Sequence, residues 1–481
     1  MDSKGSAFGG VEGQSPSPSA GWRDLLSGPN AARSAVVGGG MVLHAINVFI
    51  VTTILPTVVR DIGGLQFFAW NTTLYMIASL LAGSVCTRLL RRVGARWSYR
   101  IALTCFGVGC LLCAMAPTMP MLLVGRFVQG LGAGTLSALS FTLIRLLFAE
   151  ALWSRALSIV SAMWGIATLL GPAVGGAFAQ HDAWRAAFWS LCVITPGFAV
   201  LVEMTLPRGM PRIGAQLTAM AFFNLGLLVA SVLAVSAGSM SPELRWNVLG
   251  LAVALAGMAA FARLEARRAV RLLPMGACNP ATPLGATYAA QTMMLVAVCV
   301  EIFVPYFLQT LHALSPLYAG YLTALMSGGW TVGSVVGSSA RPRLARVLLV
   351  CGPIAMAASL VGLALLMPTP TEAEFRIGVL LAVLGFGIGM CWPHLGVRVF
   401  MFAPDGEKEL AASSITIIVM VSQAFGSALG GLVTNLAGLT SPGGVAGAVS
   451  ASAWLFGTYA VAPVVAALAI RRLLALRPAV A

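Results

Sequence analysis

Charge is what this sequence lacks most. Only 9% of its 481 residues are Asp, Glu, Lys or Arg, against roughly a quarter in a soluble domain. So few charges cannot cover a water-soluble body of this length, so most of the surface must face lipid. Acid is scarce: the chain holds 15 Asp and Glu, few enough to weigh one by one. Lysine is nearly missing, with 2 against 27 arginines. No GxxxxGK[ST] loop occurs, which excludes transport driven by ATP bound to this chain. HExxH and GxSxG are absent too, and no paired nucleophile and base stands out, so the chain is not read as an enzyme. Of nine cysteines, Cys105, Cys110, Cys113, Cys192, Cys299 and Cys391 fall inside apolar runs, as small buried hydrophobes do. None joins a paired CxxC. Neither a metal site nor a cofactor is expected.

Apolar residues are abundant. They make up 58% of the chain, and the mean hydropathy is +0.90. Runs of roughly twenty apolar residues match a helix spanning about 30 Å of hydrocarbon. They fall near 34–58, 69–90, 99–117, 121–144, 155–179, 186–206, 215–237, 246–264, 285–309, 317–339, 346–367, 375–400, 411–437 and 450–471. With the N-terminus in the cytoplasm, 24 Lys and Arg fall at cytoplasmic ends. Only Arg60, Arg185, Arg245 and Arg376 fall outside, while Arg126 lies within a span. This asymmetry is the positive-inside pattern. It assigns the net charge of +14 to membrane loops and excludes a nucleic-acid partner. Losing one span would scramble the alternation, whereas 215–264 could be removed as a pair.

The expected fold is therefore an all-α integral membrane protein of fourteen transmembrane helices, two six-helix bundles plus a two-helix insert. Residues 1–33, Gly/Ser/Pro-rich, are read as a disordered cytoplasmic tail with no signal peptide. The divisions are 34–206 for the first bundle, 207–270 for the insert and linkers, 271–473 for the second bundle and 474–481 for a cytoplasmic tail. The arginine-heavy, Ala- and Gly-rich composition points to a bacterial inner membrane.

Two spans carry motifs. The fourth reads LLVGRFVQGLGAG, placing Arg126, Gln129 and Gly130 on one face. An arginine at bilayer depth is costly and must face the protein interior or a wet cavity. The fifth reads WGIATLLGPAVGGAFAQ. Gly165, Gly171, Gly175 and Gly176 leave a stripe without side chains where another helix can approach, and Pro172 bends the helix.

These motifs resemble the major facilitator superfamily. RFVQGLGAG is similar to its fourth-helix motif, and GPAVGG followed by AWRAAFW to its antiporter motif. LPTVVRDIGG and VPYFLQTLHALSPLYAGYLTALMSGG resemble the fourteen-helix drug:proton antiporter branch. The resemblance implies alternating access and export of a hydrophobic or cationic small molecule in exchange for protons. The rival is an exporter or symporter of one metabolite, or a membrane receptor that moves nothing. One loop departs from the family. TRLLRRVGARW keeps Arg92, Gly94 and Arg96 but lacks the aspartate that helps latch the cytoplasmic gate. The usual helix-one acid is missing too; His44 and Asn47 stand in HAINVFIVTTILP.

Among the acids only Glu301 lies deep in a span, in MMLVAVCVEIFVPYF. A carboxylate there is costly when ionised, which lets it load and release a proton. Pro305 leaves the Glu301 carbonyl without its helical donor. Thr287, Gln291, Met294, Val298 and Glu301 share a helical stripe. Glu301 is thus the expected proton carrier. A cavity lining is read from Asn47, Asn71, Tyr75, Arg126, Gln129, Gln291, Tyr306, Trp330, Trp392, His394 and Gln423, since aromatics among scattered polar groups suit an amphipathic ligand. The expected partners are a small-molecule substrate, protons and the lipid bilayer, with the chain acting as a monomer.

Overall fold

The computed structural model describes residues 21–207, 219–241, 243–267, 271–369 and 373–475. The first twenty residues of the expected tail, the linker stretches 208–218 and 268–270, and residues 476–481 lie outside the described residues. Every element among those described is helical. Lipid leaves no other choice for separate spans, because a helix satisfies its backbone groups within itself. In chain order the helices are α1 (Trp22–Leu26), α2 (Gly28–Ile62), α3 (Phe68–Ala114), α4 (Met119–Leu147), α5 (Trp153–Gln180), α6 (Trp184–Thr205), α7 (Ala219–Gly238) and α8 (Leu244–Arg267). Then follow α9 (Pro283–Val298), α10 (Val304–Leu311), α11 (Pro316–Ser338), α12 (Pro342–Leu366), α13 (Glu374–Phe402), α14 (Lys408–Leu436), α15 (Gly444–Tyr459) and α16 (Val461–Ala475).

Eleven helical stretches are long and apolar enough to cross a membrane. One of them, Leu65–Ala114, crosses twice. Gly94 sits inside α3 at φ 81°, ψ 171°, a conformation that glycine adopts without a Cβ penalty. The contacts of α4 show the reversal. A Cβ on Gly130 would lie 2.5 Å from the Tyr75 carbonyl and one on Gly134 2.3 Å from that of Ser79, so the first arm of α3 runs parallel to α4. Gly125 abuts Cys113, Gly132 abuts Phe106, and the second arm runs antiparallel. Adding α11 and α7, the latter with a shorter apolar core at Phe222–Gly238, brings the crossings to the expected fourteen. The second half repeats the device. Gly385 and Gly389 of α13 abut Met326 and Trp330 of α11, and Gly387 abuts Met356 of α12.

Residues 21–33 differ from the expected tail. α1 is followed directly by α2, which begins at Gly28 rather than near 34. Leu25 is fully buried, the Ser34 hydroxyl donates to its carbonyl at 3.1 Å, and Arg33 donates to the Leu147 carbonyl at 3.2 Å. A polar, glycine-rich stretch hid one buried leucine and two tethers.

The two halves meet mainly near the arginine-poor ends of their helices. A Cβ on Gly176 of α5 would sit 2.6 Å from Leu317 Cα of α11. Thr73 of α3 donates to Ser427 of α14 at 3.1 Å. The Phe68 ring lies 5.3 Å from Phe303 and 5.5 Å from Tyr306. At the arginine-rich end an exposed pair, Arg145–Glu409 at 3.7 Å, joins α4 to α14. Among the described residues, the insert, α7 and α8, leans on the seam between α3 and α14. Trp70 Nε1 of α3 donates to the Ser236 carbonyl at 3.2 Å, and Asn435 Nδ2 of α14 to those of Ser239 and Gln66 at 3.1 and 3.4 Å.

Candidate functional site

The expected lining residues separate into two groups. The first is sealed inside the N-terminal half, between α2, α3 and α4. Arg126 is 2% exposed and Asn47, Asn71, Tyr75 and Gln129 are fully buried. Arg126 Nη1 donates to Asn47 Oδ1 at 3.3 Å and also to Gln129 Oε1. Its guanidinium lies over the Tyr75 ring at 4.1 Å, a cation–π contact that is stronger when desolvated. The Tyr75 hydroxyl reaches His44 Nδ1 at 3.0 Å, and Gln129 Nε2 donates to Cys110 Sγ at 3.0 Å. His44 and Cys110 complete a set that spacing within α4 alone did not reveal.

The second group lies in the C-terminal half and is partly exposed. Glu301 follows α9 in a 3-10 turn, Cys299–Ile302, before α10 begins. The expected stripe runs into this turn. Thr287, Gln291, Met294 and Val298 are buried, whereas Glu301 is partly exposed. A 3-10 turn winds more tightly than an α-helix and aligns residues three apart, so Glu301 follows Val298 on the same side. Pro305, at the start of α10, marks where the helix restarts. The Ser327 hydroxyl of α11 donates to Glu301 Oε1 at 3.3 Å. One turn along, the Trp330 ring meets Trp392 of α13 edge-on at 5.6 Å. Trp330, Trp392, His394 and Gln423 are all partly exposed, and the buried His394 Nε2 has no hydrogen-bond partner. Ser327 is the residue that sequence reading missed; its spacing three residues before Trp330 was the available signal.

Two expected residues belong to neither group. Tyr306, 9% exposed, packs into the aromatic seam with Phe68 and Phe307. Gln291 is 1% exposed and neither of its amide atoms has a partner.

The glycine motif of α5 divides by neighbour. A Cβ on Gly171 would clash with Phe49 and one on Gly175 with Ile50, so both dock α5 on α2. Gly176 and Pro172 face Leu317 and Gly320 of α11. A Cβ on Gly165 would meet nothing within 4 Å, so the stripe of close approach begins later along α5 than expected, at Gly171. Arg92 is exposed, while Arg96 reaches the end of α6. There Arg96 Nε pairs with Glu203 Oε2 at 2.6 Å, and Arg100 Nη2 donates to the same oxygen at 2.8 Å. Glu203 thus gathers the arginines of the loop that lacks its own aspartate. At the arginine-poor end, Asp61 of LPTVVRDIGG accepts from Trp184 Nε1 at 3.0 Å and Arg185 Nη1 at 2.6 Å, both from AWRAAFW.

Glu203→Gln should therefore weaken the attachment of the loop to α6. Solvent reaches the pair and screens it, so the loss of stability should be small. It should be read as a slightly lower thermal midpoint in detergent and faster tryptic cleavage after Arg91 or Arg92. Unchanged cleavage would mean that the loop is held by something else.

Residues 37–430 match the sequence profile of the Major Facilitator Superfamily. The chain belongs to that superfamily. Among the major facilitator relatives is a "Probable multidrug-efflux transporter" of Mycobacterium tuberculosis, strain H37Rv. It is 37% identical over 459 residues, covering 92% of this chain and 95% of the relative. A "Multidrug transporter protein" of Bacillus subtilis strain 168 is 25% identical, over 85% of this chain and 76% of its own. Among solved major facilitator structures, a POT family transporter bound to 5-aminolevulinic acid superposes with a TM-score of 0.65 at 11% identity, covering 93% and 96% of the two chains. A D-xylose-proton symporter gives 0.60 at 16% identity, covering 92% and 96%. At such identities the superpositions show the shared fold.

Proposed function

We propose that this transporter exports amphipathic or cationic small molecules in exchange for protons. Its arginine-rich ends and both termini would lie in the cytoplasm of a bacterial cell, and one chain would form the working unit. The single observation that carries this reading is Glu301. It is an acid deep in a span, it is partly exposed, and it accepts from Ser327, one turn before Trp330 of the tryptophan pair. An acid so placed binds either a proton or a cation, since leaving it charged and alone in a low-dielectric site is costly. Competition between the two for one carboxylate is sufficient to couple opposite fluxes. The efflux relatives support the direction, and the contacts between halves near the arginine-poor ends support a state closed to the outside.

The test loads the purified chain into vesicles containing a pH-sensitive dye and adds lipophilic cations. Cargo-dependent proton movement is expected for cations and not for neutral sugars. Cation transport that proceeds equally with the proton gradient collapsed would overturn the exchange.

A further inference from the structure

The polar cluster of the N-terminal half has more donors than its surroundings satisfy. Arg126 carries a full charge at 2% exposure, and it makes no ion pair among the described residues. Its two oxygen partners, Asn47 Oδ1 and Gln129 Oε1, are neutral amides. Its Nε–H has no partner, nor does Asn47 Nδ2, nor either amide atom of Asn71. Asn71 lies on the turn of α3 beside the turn of α4 that carries Arg126. Gly130 abuts Tyr75 and Gly134 abuts Ser79 in parallel helices, so Arg126, one turn before Gly130, lies opposite Asn71, one turn before Tyr75. Three buried side chains on three helices, Arg126 with Asn47 bonded to it and Asn71 on the adjacent turn, thus carry N–H groups without partners beside one uncompensated positive charge.

Water would satisfy the amides but not the charge, and a buried unpaired ion is unstable. A metal cation is repelled by the guanidinium. We propose that Arg126, Asn47 and Asn71 form a site for one small monovalent anion, a halide or a compact carboxylate such as acetate. The anion is the counter-ion of Arg126, held by N–H donors from α2, α3 and α4. The close approach of α3 to α4 at Gly130 and Gly134 limits it to a few atoms. It is sealed by the neighbouring helices in this state and exchanges when the halves part at the arginine-poor end. The site is independent of Glu301 and lies in the other half.

The experiment uses the full chain purified in gluconate buffer. Binding of radiolabelled chloride and of labelled acetate is measured by equilibrium dialysis. Thermal unfolding is followed in chloride, acetate and gluconate at equal ionic strength, since a ligand of the folded state raises its midpoint. Saturable binding of one anion per chain is expected, with a higher midpoint in the anion that binds. Asn71→Leu should lower that affinity at least tenfold while remaining folded, and Arg126→Gln should abolish it. Arg60→Gln, at an exposed arginine, and Glu301→Gln should bind as the native chain does. Chloride binding alone identifies a halide site, and acetate binding alone a carboxylate site. Absence of saturable binding by both anions, or equal binding by native and Asn71→Leu protein, overturns the proposal.

Discussion

Glu301→Gln should reduce cargo-driven proton movement to the level of protein-free vesicles while leaving the protein folded. The substitution keeps the size of the side chain and an oxygen to accept from the Ser327 hydroxyl, now at 3.3 Å. It removes only the ability to bind a proton and to bear charge. A neutral amide in a low-dielectric site costs less than a carboxylate, so the thermal midpoint should stay level or rise. Ser327→Ala provides a graded comparison: the acid keeps its proton chemistry but loses its donor, so coupling should persist with a shifted pH profile. The measurement is dye-reported proton flux in vesicles of matched protein content. Native flux in Glu301→Gln would remove the acid from the mechanism, and another group would have to carry the proton.

Gly176→Val should have a comparably large effect by another route. A Cβ at this position would lie 2.6 Å from Leu317 Cα and 3.1 Å from Leu317 Cβ. The first of these is backbone, which no rotamer change can move. α5 and α11 must separate there, and the contact lies between the halves rather than within one. The strain therefore falls on the closed arginine-poor face and spares each bundle. Overpacking typically costs about 1–3 kcal/mol, and about 1.4 kcal/mol changes an equilibrium tenfold. The population should shift about tenfold or more towards the state open at that face, with transport falling accordingly. Spin labels at Gln180→Cys and Tyr318→Cys would report it as a longer distance. An unchanged distance distribution would show that α5 and α11 do not set the closed state. Gly165→Val is the internal comparison, since nothing lies near Gly165, and it should be tolerated.

Much of this fold was legible because lipid enforces simple rules. Run length and arginine placement gave fourteen crossings, including the pair α7 and α8. Gly171, Gly175 and Gly176 each let a neighbouring helix approach closely, because a missing side chain has the same meaning wherever the helix packs. What the sequence could not show is which face of a polar helix meets an open space. Arg126, Gln129, Asn47 and Tyr75 have the same composition as a cavity wall, yet they bond to one another inside a sealed half. The exposure changes along the Glu301 stripe, from a buried Val298 to a partly exposed acid, where the α-helix gives way to a 3-10 turn that no sequence pattern marked. Glu203 stands near the end of α6. Its importance comes from Arg96 and Arg100, about a hundred positions earlier, and no local pattern links them.

The attachment of the insert makes the two seams unequal. Between α3 and α14, α7 is stitched to both halves through Trp70 and Asn435. Between α5 and α11 the described residues meet helix to helix around Gly176 and Gly320. A pair of shells bound along one edge opens like a book, widest at the edge away from the spine. Any molecule leaving through the arginine-poor face would pass first beside α5 and α11, and the spine would set how far the covers swing.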